Sequence, residues 1–321
     1  MPRAIEQLRR SGLTVGHAGL GIRGTSNVPG SPAQQVHDGD TAVVNPLGNL
    51  GVRFLGVDAA EESFTLPGGD TFVPIDDSQG RWEAFLSDPF DAQYGPIDPP
   101  LDAATKAYLA QRVGPGTALN HARHSEAARH ALRKAVEDDM VALGKTKENF
   151  EFFIAFANEI MDGYGRLLGY LNRDQPANGT PRPLSYNERL LEAGLVTPYF
   201  IWPNTEPFRR AAAVSKAVPP PTTQATLADK GSLGRARKWV SDARQNEIGI
   251  FDAADPLRLY PFELRFLARR EPPTRWLIDL SASDDRLIPP QEYHTVANAE
   301  DRLWIPDEYL PLWVEHGWKR G

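Results

Sequence analysis

Proline and glycine break this chain so often that no architecture built from long uninterrupted elements is open to it. The 28 prolines and 27 glycines among 321 residues predict many turns and irregular connections, because proline ends helices and glycine supplies turn conformations. A plain helix bundle is excluded. With 41% hydrophobic residues the chain can still bury a packed core, and its length suits one large domain with additions or two ordinary ones.

Any chemistry must come from His, Ser, Asp, Glu or Arg, since the sequence contains no cysteine. That excludes disulfides, thiolate metal sites and a cysteine nucleophile. The 35 Lys and Arg against 42 Asp and Glu give a net charge of −7, so a surface for phosphates has to be local rather than general. One such region lies between residues 205 and 246, with eight Lys or Arg against three Asp or Glu. No apolar run approaches the roughly 18 residues of a membrane span. The start, Met1 to Arg10, has no signal-like core, so a cytoplasmic protein is expected unless a leader was removed.

Residues 1–35 read as a polar lead-in. Asp38-Gly39-Asp40-Thr41 is a turn signal, and Ala42-Val43-Val44 and Val52 to Val57 flank a Pro46/Gly48/Asn49 turn, which predicts a hairpin. Residues 64–117 read as a long loop-rich insertion containing Asp76, Asp77, Asp88, Asp91, Asp98 and Asp102. Ala128, Ala131, Leu132, Ala135, Val136 and Met140 recur at helical spacing. Residues 150–156 and 166–171 predict strands. Ser185 and Glu188 have capping-box spacing, with Gly194 placed to end the helix. A further helix is predicted over 233–247 and a strand over 276–280. His121, His124 and His130 are expected on a solvated helix face.

The candidate chemistry centres on Asp40, Arg53, Asp58 and Glu61. Strict alternation puts Arg53 and Asp58 on opposite strand faces, so a common site needs a bend, for which Gly56 is the natural place. Carboxylates and backbone carbonyls are hard oxygen donors, suited to calcium or magnesium rather than zinc.

Asp38 to Thr41, Val52-Arg53-Phe54-Leu55-Gly56-Val57-Asp58-Ala59-Ala60-Glu61 and Asp162-Gly163-Tyr164-Gly165-Arg166 resemble, in order, motifs of the staphylococcal nuclease-like (thermonuclease-like) family. Asn187 to Leu195 and Asn246 to Phe251 resemble its later helices. The resemblance implies an α+β fold: an OB-type five-stranded β-barrel with about three helices over residues 36–253, interrupted by the 64–117 insertion and followed by a 254–321 extension of unknown type. It also implies a calcium-dependent phosphodiesterase cleaving DNA or RNA to 3′-phosphate products, with magnesium as the alternative ion. Asp40, Asp58 and the Ala59 carbonyl would hold the metal, Glu61 would position or deprotonate the water, and Arg53 and Arg166 would contact the phosphate. Tyr164, Phe200 and Trp202 would surround the bound nucleotide. Departures from the family pattern include Ala59-Ala60 before Glu61, where the family commonly has a proline between the metal-site residue and the glutamate. The competing reading is a non-catalytic nuclease-fold module that binds nucleic acid or protein.

Overall fold

Alternation of side chains along four short strands builds the central sheet. In the computed structural model, which describes residues 3–7, 14–22, 28–35, 43–175, 181–207, 213–222 and 231–321, these strands run in the order Trp276–Asp279, Arg302–Ile305, Thr197–Ile201 and Gly56–Asp58. Arg302–Ile305 is antiparallel to Trp276–Asp279 and parallel to Thr197–Ile201, with Phe200 opposite Leu303. Thr197–Ile201 is antiparallel to Gly56–Asp58, with Thr197 opposite Asp58.

Successive strand residues point to opposite faces, and both faces of this sheet are covered. Val57, Phe200, Ile278, Leu303 and Ile305 enter one apolar cluster with Leu190, Leu191, Val240 and Trp313. Tyr199, Leu277 and Trp304 enter another with Trp82, Phe85, Leu264, Leu267 and Tyr293. Helices Tyr186–Glu192 and Gly231–Gln245 therefore serve the first face, and Arg81–Ser87 and Pro261–Arg269 the second.

The described chain divides into two compact units, Met1–Arg53 with Glu159–Gly169, and Phe54–Asn158 with Tyr170–Gly321. In the first, Ile5–Gln7 pairs with Thr14–Gly16, and Ala18–Leu20 with Val44–Pro46. The predicted hairpin between residues 42–44 and 52–57 therefore does not form: each segment finds a different strand. The bend expected at Gly56 is present, since that glycine adopts φ 76° where Gly56–Asp58 begins, one residue beyond the end of Val52–Phe54. Only glycine takes that conformation readily.

The fold is mixed α+β, with several sheets and no closed barrel among the described residues. The expected loop at 64–117 contains a Ser63–Thr65/Phe72–Pro74 hairpin and helices Arg81–Ser87 and Ala103–Ala110. It is ordered because Trp82, Phe85, Leu86 and Leu109 are fully buried. The 254–321 stretch is integral too, supplying two of the four central strands. The helix expected around 128–140 extends over Thr117–Ala142. Among the described residues, no helix is long and apolar enough to cross a membrane.

The Tyr186–Glu192 helix forms as its spacing predicts. The Ser185 side chain accepts from the Glu188 N–H, Glu188 reaches back to the Ser185 N–H at 2.9 Å, and Gly194 follows with φ 63°. Ser185→Ala removes one side of this box and is expected to cost about 1 kcal/mol, read as a lowered urea midpoint at unchanged slope.

Candidate functional site

Asp58 is aimed by the register of its strand. Val57 turns into the first apolar cluster, so Asp58 turns to the opposite face, toward the Pro261–Arg269 helix. Its backbone is held by the Thr197 hydroxyl, which donates to the Asp58 carbonyl at 2.8 Å. The carboxylate is completely buried, and Arg265 meets it with both terminal nitrogens, Nη1 to Oδ1 at 2.9 Å and Nη2 to Oδ2 at 2.8 Å. Nη1 also reaches Glu61 Oε1 at 2.5 Å. Side-chain exposures of 0% for Asp58, 15% for Arg265 and 20% for Glu61 make Glu61 the member nearest to water.

The helix carrying Arg265 is itself pinned by a buried acid. Glu263, completely buried, accepts from the Tyr260 N–H at 2.8 Å, from Arg112 Nε at 3.2 Å and from the Tyr293 hydroxyl at 2.9 Å. Burial alone would lower the Arg265 pKa, but the Asp58 and Glu61 carboxylates override that and hold it above its ordinary value. The cluster is therefore a bidentate guanidinium–carboxylate pair with a second carboxylate attached.

The 58–62 segment is fixed on its other side by the Thr117–Ala142 helix. The Glu61 N–H donates to His121 Nε2 at 2.8 Å, and Arg129 pairs with Glu62. His121 is completely buried, not on the solvated face expected from sequence, and His124 is nearly so. His124 Nε2 lies 2.9 Å from the Asp255 carbonyl, and Asn120 donates to Asp255 and Pro256. Acceptance at His121 Nε2 requires the neutral imidazole with its proton on Nδ1, whereas His124 Nε2 carries the proton that it donates to the Asp255 carbonyl.

Burial pushes the His121 pKa down to about 3. The unfolded chain takes up a proton below about 6.5 while the native protein stays neutral until about 3. Stability is therefore full above pH 6.5 and falls as the pH drops between those values, by about 2 kcal/mol at pH 5. In His121→Gln the amide oxygen keeps an acceptor for Glu61 but cannot titrate. Urea titrations at pH 7 and pH 5 are expected to show that extra loss in the unsubstituted protein and not in the variant.

The other residues expected from sequence are distributed as follows. Asp40 lies outside the described residues. Asp58, Ala59 and Glu61 belong to the second unit, and Ala59 is half-buried against the first apolar cluster. Arg53, half-buried, and Arg166 belong to the first unit. Arg166 donates from Nε to Asp162 Oδ2 at 2.8 Å, and its guanidinium stands 5.4 Å from the Tyr164 ring centroid. Tyr164 is 52% exposed. Phe200 and Trp202 are 3% and 2% exposed. They are core residues: Phe200 points into the first apolar cluster, and Trp202 packs edge-on against Tyr309 and Trp313 while its Nε1 donates to the Ala217 carbonyl. Neither offers a ring face to a base in this structure.

The described donors do not fit a calcium or magnesium ion as they stand. Such ions take about six or more oxygens, whereas both Asp58 oxygens and Glu61 Oε1 are engaged by Arg265. Among the described residues no group of three His, Asp or Glu side chains is placed to hold a metal.

Sequence reasoning missed Arg265 and His121. The signal for Arg265 was available: an arginine set in the apolar run Leu264, Phe266, Leu267 is buried only with a carboxylate to compensate it. His121 carries no comparable sign.

Comparison with known proteins gives one distant likeness. The chain is 22% identical over 230 residues to Endonuclease YhcR of Bacillus subtilis (strain 168), a match covering 71% of this chain and 16% of that protein. The chain thus spans about a sixth of the length of the curated relative it matches. No family model matches. No solved structure matches either.

Proposed function

We propose that this protein is a nuclease, a hydrolase of phosphodiester bonds in DNA or RNA, whose reacting centre is the cluster of Asp58, Glu61 and Arg265. The observation that carries this reading is the convergence of two carboxylates, three positions apart in sequence, on one fixed guanidinium. The distant likeness to a protein named as an endonuclease supports the same class.

The chemistry divides among the side chains by exposure. Glu61, the most exposed of the three, is placed to take a proton from an attacking water. Arg265, held rigid by Asp58, offers fixed positive charge to the oxygens of a phosphoryl group without reorganisation. Asp58 is a positioning residue, fully buried behind the arginine. For the first unit, resemblance to the staphylococcal nuclease-like family proposes Arg53 and Arg166 as phosphate contacts.

Supercoiled plasmid and single-stranded RNA, incubated with the protein in Ca²⁺, in Mg²⁺ and in EDTA, test the reading directly. Cleavage in any arm supports a nuclease, and its dependence on the ion decides the calcium expectation. Complete engagement of Asp58 by Arg265 favours a second reading, a binding module, and retained nucleic-acid binding with no cleavage in all three arms would establish it.

A further inference from the structure

Arg265 has a second environment. It also lines a cavity of about 110 Å³, together with Tyr199, Phe262, Arg269, Glu271 and Arg275. At roughly 10 to 15 Å³ per water this is room for several waters or one tetrahedral anion. Tyr199 and Phe262 stack within it at 5.6 Å and 11°, giving it a rigid apolar wall.

The charges around the cavity are unevenly compensated. Arg265 is met by Asp58 and Glu61. Among the described residues no carboxylate lies within ion-pair distance of Arg269 or Arg275. Arg269 rests its guanidinium 5.3 Å from the Phe64 ring centroid. Arg275 donates from Nη1 to the Tyr199 hydroxyl at 2.9 Å, while its Nε is buried without a hydrogen-bond acceptor. Glu271 is the one acid in the lining, which leaves a net positive mouth. A buried guanidinium N–H without an acceptor is costly, and an anion seated beside it would satisfy it.

We propose that this cavity is a phosphate-binding subsite, with Arg269 and Arg275 as its two anchoring cations. It rests on the nuclease reading only for the source of the phosphate, which is then a phosphate of the substrate strand one position from the reacting bond, brought alongside Arg265. Free phosphate or a mononucleotide offers the same chemistry and is separated by the test. Arginine suits the role because its fork matches two phosphate oxygens at once.

The test measures binding of a fluorescein-labelled single-stranded DNA 12-mer by polarisation, in EDTA, to the full chain and to Arg269→Gln, Arg275→Gln, Arg275→Lys and the double glutamine variant. Arg269 is exposed, so its variant keeps the fold, and circular dichroism and melting temperature verify the others. Each glutamine substitution is expected to weaken binding several-fold and the pair at least tenfold. The dependence of log affinity on log salt should fall by about one, as for loss of a single phosphate contact. Arg275→Lys, which keeps the charge but not the fork, should fall between the parent and Arg275→Gln. Inorganic phosphate, followed by tryptophan fluorescence, should saturate with the parent protein and not with the double variant.

Unchanged affinity for both probes in a folded double variant would overturn the subsite and leave the nuclease reading standing. Loss of phosphate binding with unchanged oligonucleotide affinity would overturn the strand as the source and keep the anion site. Variant-dependent phosphate binding by a protein that cleaves nothing would sustain the subsite while the nuclease reading falls.

Discussion

Arg265→Ala is expected to destabilise the protein by about 3 to 5 kcal/mol, seen as a large drop in the urea midpoint. The substitution leaves Asp58, with no solvent exposure, as a buried carboxylate whose bidentate cation is gone, and leaves Glu61 without the same counter-charge. An ion pair of this kind need not stabilise the fold relative to an apolar pair, because desolvation offsets the Coulomb attraction. The cost of breaking it is a separate quantity. Asp58→Asn combined with Arg265→Met should therefore recover much of what Arg265→Ala loses, and the cycle isolates the coupling between the two sites. A loss below about 1 kcal/mol for Arg265→Ala would mean that Asp58 is compensated from elsewhere.

The contrast between this pair and the residues singled out from sequence shows what local pattern can and cannot convey. Segments whose signal is local formed where expected: the Ser185–Glu188 cap, the Phe152–Ala155 and Leu167–Arg173 strands, the Gly231–Gln245 helix and the bend at Gly56. Strand pairing is not local. Val44–Pro46 and Gly56–Asp58 are only ten residues apart, yet one pairs with Ala18–Leu20 and the other with Thr197–Ile201. A turn signal between two β-rich runs specifies a reversal, and the partner is chosen by which apolar face must be covered.

The long acidic segment was misread for a related reason. Its apolar residues are few and scattered, but Trp82, Phe85 and Leu109 bury completely against a cluster that includes Leu264, Tyr293 and Trp304 from the other end of the chain. Order there depends on residues nearly 200 positions away, which no window over 64–117 contains. The candidate site was legible in half. Asp58 and Glu61 stand out as a pair in the sequence, whereas the cation that meets them lies more than 200 residues further on, in a stretch that looked like an appendage. Phe200 and Trp202 alternate on a strand of a two-sided sheet, so their aromatic character serves packing rather than exposure.

Glu61→Gln is expected to reduce phosphodiester cleavage by about 10² to 10⁴ with only a small change in stability. The two effects separate because of where the charge sits. Arg265 keeps its bidentate contact with Asp58 in the variant, and the Glu61 N–H to His121 bond belongs to the backbone and survives. Glutamine has the same shape as glutamate and can still lie against the guanidinium through its carbonyl oxygen, but it accepts no proton from water. A fall in kcat of this size at unchanged urea midpoint is the result expected for a general base. If turnover stays within tenfold of the parent while Arg265→Lys, which keeps the charge but not the fork, loses more, the proton leaves by another route and the guanidinium alone carries the rate.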